Sequence, residues 1–146
     1  MRLLGKATGV LAAVLLVSAC GGGSSNPTTL TKAQWESRYG AAVRAVSTQL
    51  DFARTDLDKG VQQDILDGCS LLRDDVTTAK GALPVPNAGA NAALSKALTE
   101  LTQGAADCIH GAQVASQASI NEAAMRELTT SRTELDMANQ AIAAWS

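Results

Sequence analysis

Three cysteines carry the most reactive side-chain chemistry in this sequence. A thiol ionises to a nucleophilic thiolate far more readily than a hydroxyl does, so it is the group that a lipid donor alkylates or that oxidation joins into a disulfide. Cys20 directly follows the small residues Ser18 and Ala19, whereas Cys69 and Cys108 lie far along the chain. This spacing indicates two separate uses: modification of Cys20, and pairing of the other two.

The segment before Cys20 has the three parts of a secretory signal. Arg2 and Lys6 give a positive start, Gly9–Val17 is an apolar run too short to span a bilayer, and small residues precede the cysteine. The residues Val17 to Cys20 resemble the lipobox of bacterial lipoproteins. The resemblance implies cleavage before Cys20, a diacylglyceryl thioether with fatty acyl chains such as palmitate, and anchoring on the extracytoplasmic face of the cell membrane. An ordinary secretory signal with a chance cysteine is the alternative.

The residues after Cys20 predict a tether. Residues 21–29 read GGGSSNPTT, without an apolar side chain. Such a coil has a mean span of roughly 15–18 Å. We therefore divide the chain into a signal peptide (1–19), a lipidated cysteine with a flexible linker (20–30) and one folded domain (31–146).

The charge of the chain excludes one class of partner. Of the twelve Lys and Arg, two lie in the signal peptide, which leaves ten against fourteen Asp and Glu and a net charge of −4. A negative domain is unsuited to binding nucleic acid or an anionic membrane surface. We expect no nucleic-acid partner.

Apolar residues recur at helical spacing in four segments, and no strand-like alternation appears. The segments are Trp35–Leu57, Val61–Leu83, Leu94–Ala115 and Ala124–Trp145. Thr31 with Gln34, and Ser119 with Glu122, have the spacing of capping boxes at the starts of the first and fourth helices. The predicted breaks are Asp56–Gly60, Gly81–Gly89 and Ser116–Ser119. The short connections predict an antiparallel, up-down-up-down four-helix bundle.

The register of the second and third helices predicts a disulfide between Cys69 and Cys108. If the two helices run antiparallel with these cysteines opposite each other, every following apolar position of one helix meets an apolar position of the other. An extracytoplasmic compartment favours oxidation, and only one pairing exists once Cys20 is modified. The same topology brings Trp35, Tyr39 and Trp145 to the end of the bundle that carries the linker.

The folded domain is similar to a group of small lipoproteins and secreted proteins of actinobacteria. The shared features are a leading Trp and Tyr on helix one (Trp35, Tyr39), a Cys on helix two, the turn Leu83–Pro86, and Ala97-Leu98 followed by Cys108 on helix three. The resemblance implies a helical bundle with one disulfide. It implies no activity.

The remaining reactive residues do not form a recognisable catalytic or metal motif. His110 is the only histidine and lies three residues after Asp107, but Cys108 points about 100° away from it on a helix. One histidine and two paired cysteines do not make a zinc site. Asp64 and Asp67 share a helix face, and a solvated face is favoured over a weak calcium site because no loop supplies converging oxygens. We predict no cofactor, no metal and no enzymatic activity.

Three functions therefore compete, of which an enzyme, which would need a carboxylate pair buried together in a cleft, is the least favoured. The first is a non-catalytic, lipid-anchored interaction module that binds an envelope protein. The second is a binder of a small apolar ligand near the membrane-facing end, with Trp35, Tyr39, Leu83 and Trp145 as the candidate apolar site. The alternative for these side chains is that they close the end of the hydrophobic core.

Overall fold

The computed structural model describes residues 29–114 and 117–146. Throughout these ranges the regular elements are helices, which confirms the predicted all-α class. The predicted signal peptide (1–19), the lipidation site Cys20 and the linker as far as residue 28 lie outside the described residues and stay predictions.

Helix α1 spans Lys32–Lys59 and begins at the predicted capping box. The Thr31 hydroxyl accepts a hydrogen bond from the backbone N–H of Gln34, and the Gln34 side chain accepts one from the Thr31 N–H at 2.9 Å. The helix ends at Gly60, whose φ of 70° lies in the left-handed region that favours glycine. The helix therefore continues through most of the predicted break at Asp56–Gly60.

The second and third helices are separated where the sequence predicts the Gly81–Gly89 break. Helix α2 spans Gln62–Ala79 and runs into a single 3₁₀ turn, and helix α3 spans Ala88–Gln113. The start of α3 has a cap that the sequence analysis did not identify. The Asn87 side chain accepts a hydrogen bond from the backbone N–H of Ala90 at 2.9 Å.

Helix α4 spans Gln117–Ala144. It begins two residues before the predicted cap at Ser119, so that boundary was wrong. The polar stretch Ser116–Ser119 contains neither proline nor glycine, and polarity alone does not stop a helix from extending backwards by half a turn.

Consecutive helices run antiparallel, because contacts pair an early residue of one helix with a late residue of its neighbour. The pairs are Trp35–Ala82 and Gln49–Gly68 for α1 and α2, Gln62–Ala112 and Cys69–Cys108 for α2 and α3, Lys96–Glu134 and Gly104–Leu128 for α3 and α4, and Lys32–Ala143 and Asp51–Arg132 for α1 and α4. The first and last helices, α1 and α4, also contact each other, so the four helices enclose one core.

Most of the core consists of apolar positions that the helical periodicity predicts, and Ala82, Val85 and Ala90 are buried in addition to them. Fully buried large side chains come from all four helices: Trp35, Val46, Leu50, Ile65, Leu72, Val76, Leu94, Leu98, Leu101, Leu128 and Leu135. Ser131 is the polar residue at a core position of α4, and it is only 2% exposed. Val61 departs from the prediction. It is 49% exposed because it lies in the turn before α2, where the chain has left the helical register.

The predicted disulfide joins α2 to α3. Cys69 and Cys108 are bonded, with their Cα atoms 6.1 Å apart. This separation is shorter than the 8–10 Å between the axes of packed helices. Gly104 and Gly111 lie on α3 one turn to either side of Cys108, and both are buried. Gly104 faces α4 and not α2, because a Cβ there would lie 3.1 Å from Leu128 Cδ2, so its missing side chain serves the packing of α3 against α4.

Candidate functional site

Three of the four predicted apolar-site residues form an aromatic cluster at the end of the bundle where α1 begins. The Trp35 ring centroid lies 6.1 Å from that of Tyr39 and 6.1 Å from that of Trp145, the latter in an edge-to-face arrangement. Tyr39, Leu83 and Trp145 are half-buried and pack against the core. Antiparallel topology is what unites these residues, since Trp35 and Trp145 are on the first and last helices.

Trp35 lies inside this cluster and does not face solvent. It is 1% exposed, and its indole N–H donates a hydrogen bond to the backbone carbonyl of Ala82 at 2.9 Å. The 3₁₀ turn after α2 thus supplies the partner that a buried indole requires. This packing is typical of a residue that closes the end of a core.

The surface groove at this end is lined by other residues. It is an open depression of about 520 Å³ formed by residues 29–33 together with Pro86, Trp145 and Ser146. Trp145 is the member of the predicted apolar site that lines it. The half-buried indole of Trp145 therefore offers a ligand one apolar edge, whereas Trp35 lies behind it.

The residues around His110 lack the geometry of a catalytic dyad. His110 is exposed, and Asp107 is engaged by Gln103, whose amide donates hydrogen bonds to both carboxylate oxygens at 3.0 and 2.8 Å. The sulfur of Cys108 is bonded to Cys69. His110 therefore has no neighbouring thiol that it could activate.

A carboxylate pair links α3 and α4 beside this histidine. Burial and, after it, the negative charge of Asp107 raise the pKa of Glu127 above its ordinary value. Glu127 is nevertheless an exposed residue that lines an open groove of about 360 Å³ with Glu100 and Arg126. Water reaches the pair through this open groove, so its desolvation is only partial, whereas a catalytic acid is poised by burial in a cleft.

Acidic residues do not converge on a metal site in the part of the chain that the structure describes. There, no group of three His, Cys, Asp or Glu side chains is close enough together to hold an ion. Asp74 accepts hydrogen bonds from the guanidinium of Arg73 at 3.0 and 2.9 Å. Asp64 and Asp67 share one face of α2, as predicted, and both line a groove between α1 and α2.

The α1–α2 groove is a surface that the sequence analysis did not identify. We use this name for the depression of about 460 Å³ lined by Gln49, Phe52, Asp56, Asp64, Asp67, Gly68 and Leu71. Phe52 is the only phenylalanine of the chain and is 57% exposed, and Leu71 is 56% exposed. A sequence signal existed for both residues. Each is a large apolar side chain next to, and not on, the apolar stripe that its helix turns towards the core.

The helices in the described ranges include none with the length and apolar content needed to cross a membrane. Comparison of the chain with protein families, with curated proteins and with solved structures finds no match.

Proposed function

We propose that this protein is a lipid-anchored module of the cell envelope that binds a protein partner and catalyses no reaction. The observation that carries the anchoring is the sequence before and at Cys20: a positive start, a short apolar run and small residues ahead of a cysteine. A diacylglyceryl group supplies two acyl chains, which hold a protein on a membrane far more firmly than one chain does.

The fold supports this arrangement. Helix α1 begins at Lys32, twelve residues after Cys20, and its first turn lies against the last turn of α4 through the bond from Lys32 Nζ to the carbonyl of Ala143 at 2.8 Å. The tether therefore leaves from the end of the bundle that holds Trp35 and Trp145. This end faces the membrane, and the turn at Gly60 lies at the far end.

The chemistry of the bundle supports a binding role over catalysis. Both thiols of the bundle are consumed in one disulfide. Its one histidine is exposed, and the carboxylate pair of Glu127 and Asp107 is open to water. A lipid-anchored bundle of this kind acts through the surface that it presents to neighbouring proteins.

The anchoring is tested by replacing Cys20 with Ala in the full chain, followed by membrane fractionation and labelling with a palmitate analogue. We expect the variant to lose the label and to leave the membrane fraction, or to remain uncut. The matched control is the double replacement of Cys69 and Cys108 by Ser, which removes the other thiols and must keep the label. A processed Cys20→Ala chain that stays on the membrane would contradict the proposal.

The second candidate function is binding of a small apolar ligand at the membrane-facing end. It is favoured by the half-buried Trp145, which lines the groove formed with residues 29–33 and Pro86. An apolar fluorescent probe that binds the parent chain and no longer binds after Trp145→Ala would establish this function. A parent chain that takes up no probe would eliminate it.

A further inference from the structure

Four large apolar side chains of the described residues are strongly exposed, and two of them line the same groove. Phe52 on α1 and Leu71 on α2 flank the α1–α2 groove, whereas Val61 lies in a turn and Met137 on α4. Exposed apolar side chains are common singly, but a phenylalanine and a leucine on the two walls of one groove form a patch of the kind that binds proteins.

The floor of this groove is fixed by the packing of α1 against α2. Gly68 has no side chain, and a Cβ there would lie 3.4 Å from the Cα of Ala53 and 2.7 Å from a carboxylate oxygen of Asp56. The Gln49 amide donates a hydrogen bond to the Gly68 carbonyl at 3.2 Å. The two backbones are therefore held close, and the walls that carry Phe52 and Leu71 need not rearrange when a partner binds.

Negative charge surrounds the apolar pair on the side nearer the α1–α2 turn. Asp56, Asp64 and Asp67 line the groove. In the described part of the chain, the only cation that forms an ion pair with one of these carboxylates is Lys59, which lies 3.1 Å from Asp56. Asp67 accepts one hydrogen bond, from the neutral amide of Gln63. Two carboxylates thus remain without an ionic partner beside an exposed apolar patch.

We propose that the α1–α2 groove binds a basic amphipathic helix of a partner protein. The partner's apolar residues would contact Phe52 and Leu71, and its Lys or Arg side chains would pair with Asp64 and Asp67. A groove between two antiparallel helices accepts a third helix through the ordinary packing of side-chain ridges into grooves. Charge complementarity selects a basic occupant over an acidic one or an anionic membrane.

This inference rests on the proposed interaction function and names the chemistry of the partner. It also agrees with the direction of the anchor. The acidic residues lie towards the Gly60 turn, at the end of the bundle opposite the aromatic cluster and the start of α1. A tethered bundle therefore presents this groove away from the lipid.

The test uses the full chain reconstituted in nanodiscs of phosphatidylcholine, with empty nanodiscs as the blank. The probe is a peptide of about 14 residues, roughly 21 Å as a helix, made of Leu at helical spacing and Lys elsewhere. A scrambled peptide of the same composition and a peptide with Glu in place of Lys are the controls. We expect the first peptide to bind and both controls to bind at least tenfold more weakly.

Variants then locate the binding. We expect Phe52→Ala and Leu71→Ala each to weaken binding about tenfold, since each change removes apolar area that the partner would bury. Replacing Asp64 and Asp67 by Asn should weaken binding several-fold and flatten its dependence on salt. Met137→Ala, an equally conservative change at a residue that is 44% exposed on α4, should stay within twofold of the parent.

Three results would overturn the inference. One is equal binding of the probe by the parent and by Phe52→Ala. Another is equal binding of the scrambled peptide. The third is dimerisation of the parent chain through this groove, because the occupant is then a second copy. Light scattering would show it as a dimer mass for the parent and half that mass for Phe52→Ser. If the chain proves not to be lipid-anchored, the same assay runs on the released protein in buffer, so a failed anchor and a failed groove give different results.

Discussion

Replacing Trp35 by Ala decides whether the aromatic cluster closes the core or forms a binding site. The indole is 1% exposed and donates its N–H to the carbonyl of Ala82. A buried tryptophan removes about 150–250 Å² from water, which at roughly 25 cal/mol per Å² amounts to about 4–6 kcal/mol. Alanine retains part of this area, so we expect a loss in the free energy of unfolding of about 3–5 kcal/mol.

The assay is thermal unfolding followed by circular dichroism. A loss of about 4 kcal/mol in a domain of this size lowers Tm by roughly 15 °C. Trp35→Phe keeps most of the volume and leaves the Ala82 carbonyl without its donor, so its cost should be about 1–2 kcal/mol. Trp145→Ala is the matched control, because the same side chain is removed from a half-buried position and should cost clearly less.

One result would refute this reasoning. If Trp35→Ala keeps the Tm of the parent and abolishes uptake of an apolar probe, Trp35 belongs to a ligand site and not to the core. If the variant unfolds at a much lower temperature and the parent binds no probe, the interaction function stands alone.

Three further predictions concern stability. Reducing the inter-helix disulfide, which spans 39 residues, should cost about 4 kcal/mol and lower Tm by more than 10 °C, and mass spectrometry of the unreduced domain should show neither thiol free. Gly60→Ala should cost about 1 kcal/mol in chemical denaturation because of its left-handed backbone, whereas Gly81→Ala, with no positive φ and open space around it, should be nearly neutral. Burial and the charge of Asp107 raise the pKa of Glu127 in the folded state, so the folded chain binds the carboxyl proton more tightly than the unfolded chain does. The contribution of Glu127 to the free energy of unfolding therefore rises as the pH falls through the raised pKa. Glu127→Gln should therefore stabilise the domain at pH 7, by less than about 0.5 kcal/mol. The difference in the free energy of unfolding between variant and parent should shrink in acid, and a difference that is the same at pH 7 and pH 4 would contradict this prediction.

Helical periodicity predicted most of the core correctly, because a helix repeats every 3.6 residues and a buried stripe must follow that repeat. Leu50, Leu72, Leu98 and Leu128 are fully buried where this repeat places them. The Thr31 capping box was also readable from the sequence, since it depends on two side chains three residues apart. The start of α4 was not, because no residue there is incompatible with a helix.

Local sequence also predicted the disulfide, which follows from the residue count, the expected compartment and the shared register of Cys69 and Cys108. Only the tertiary structure decided the surfaces. Whether Trp35 lines a site or fills the core depends on the turn at Ala82, which lies 47 residues away and supplies its hydrogen-bond acceptor. Phe52 and Leu71 each lie beside the apolar stripe of their own helix, which the sequence shows. They form one patch because α1 packs against α2 at Gly68, a contact between helices that no local pattern specifies.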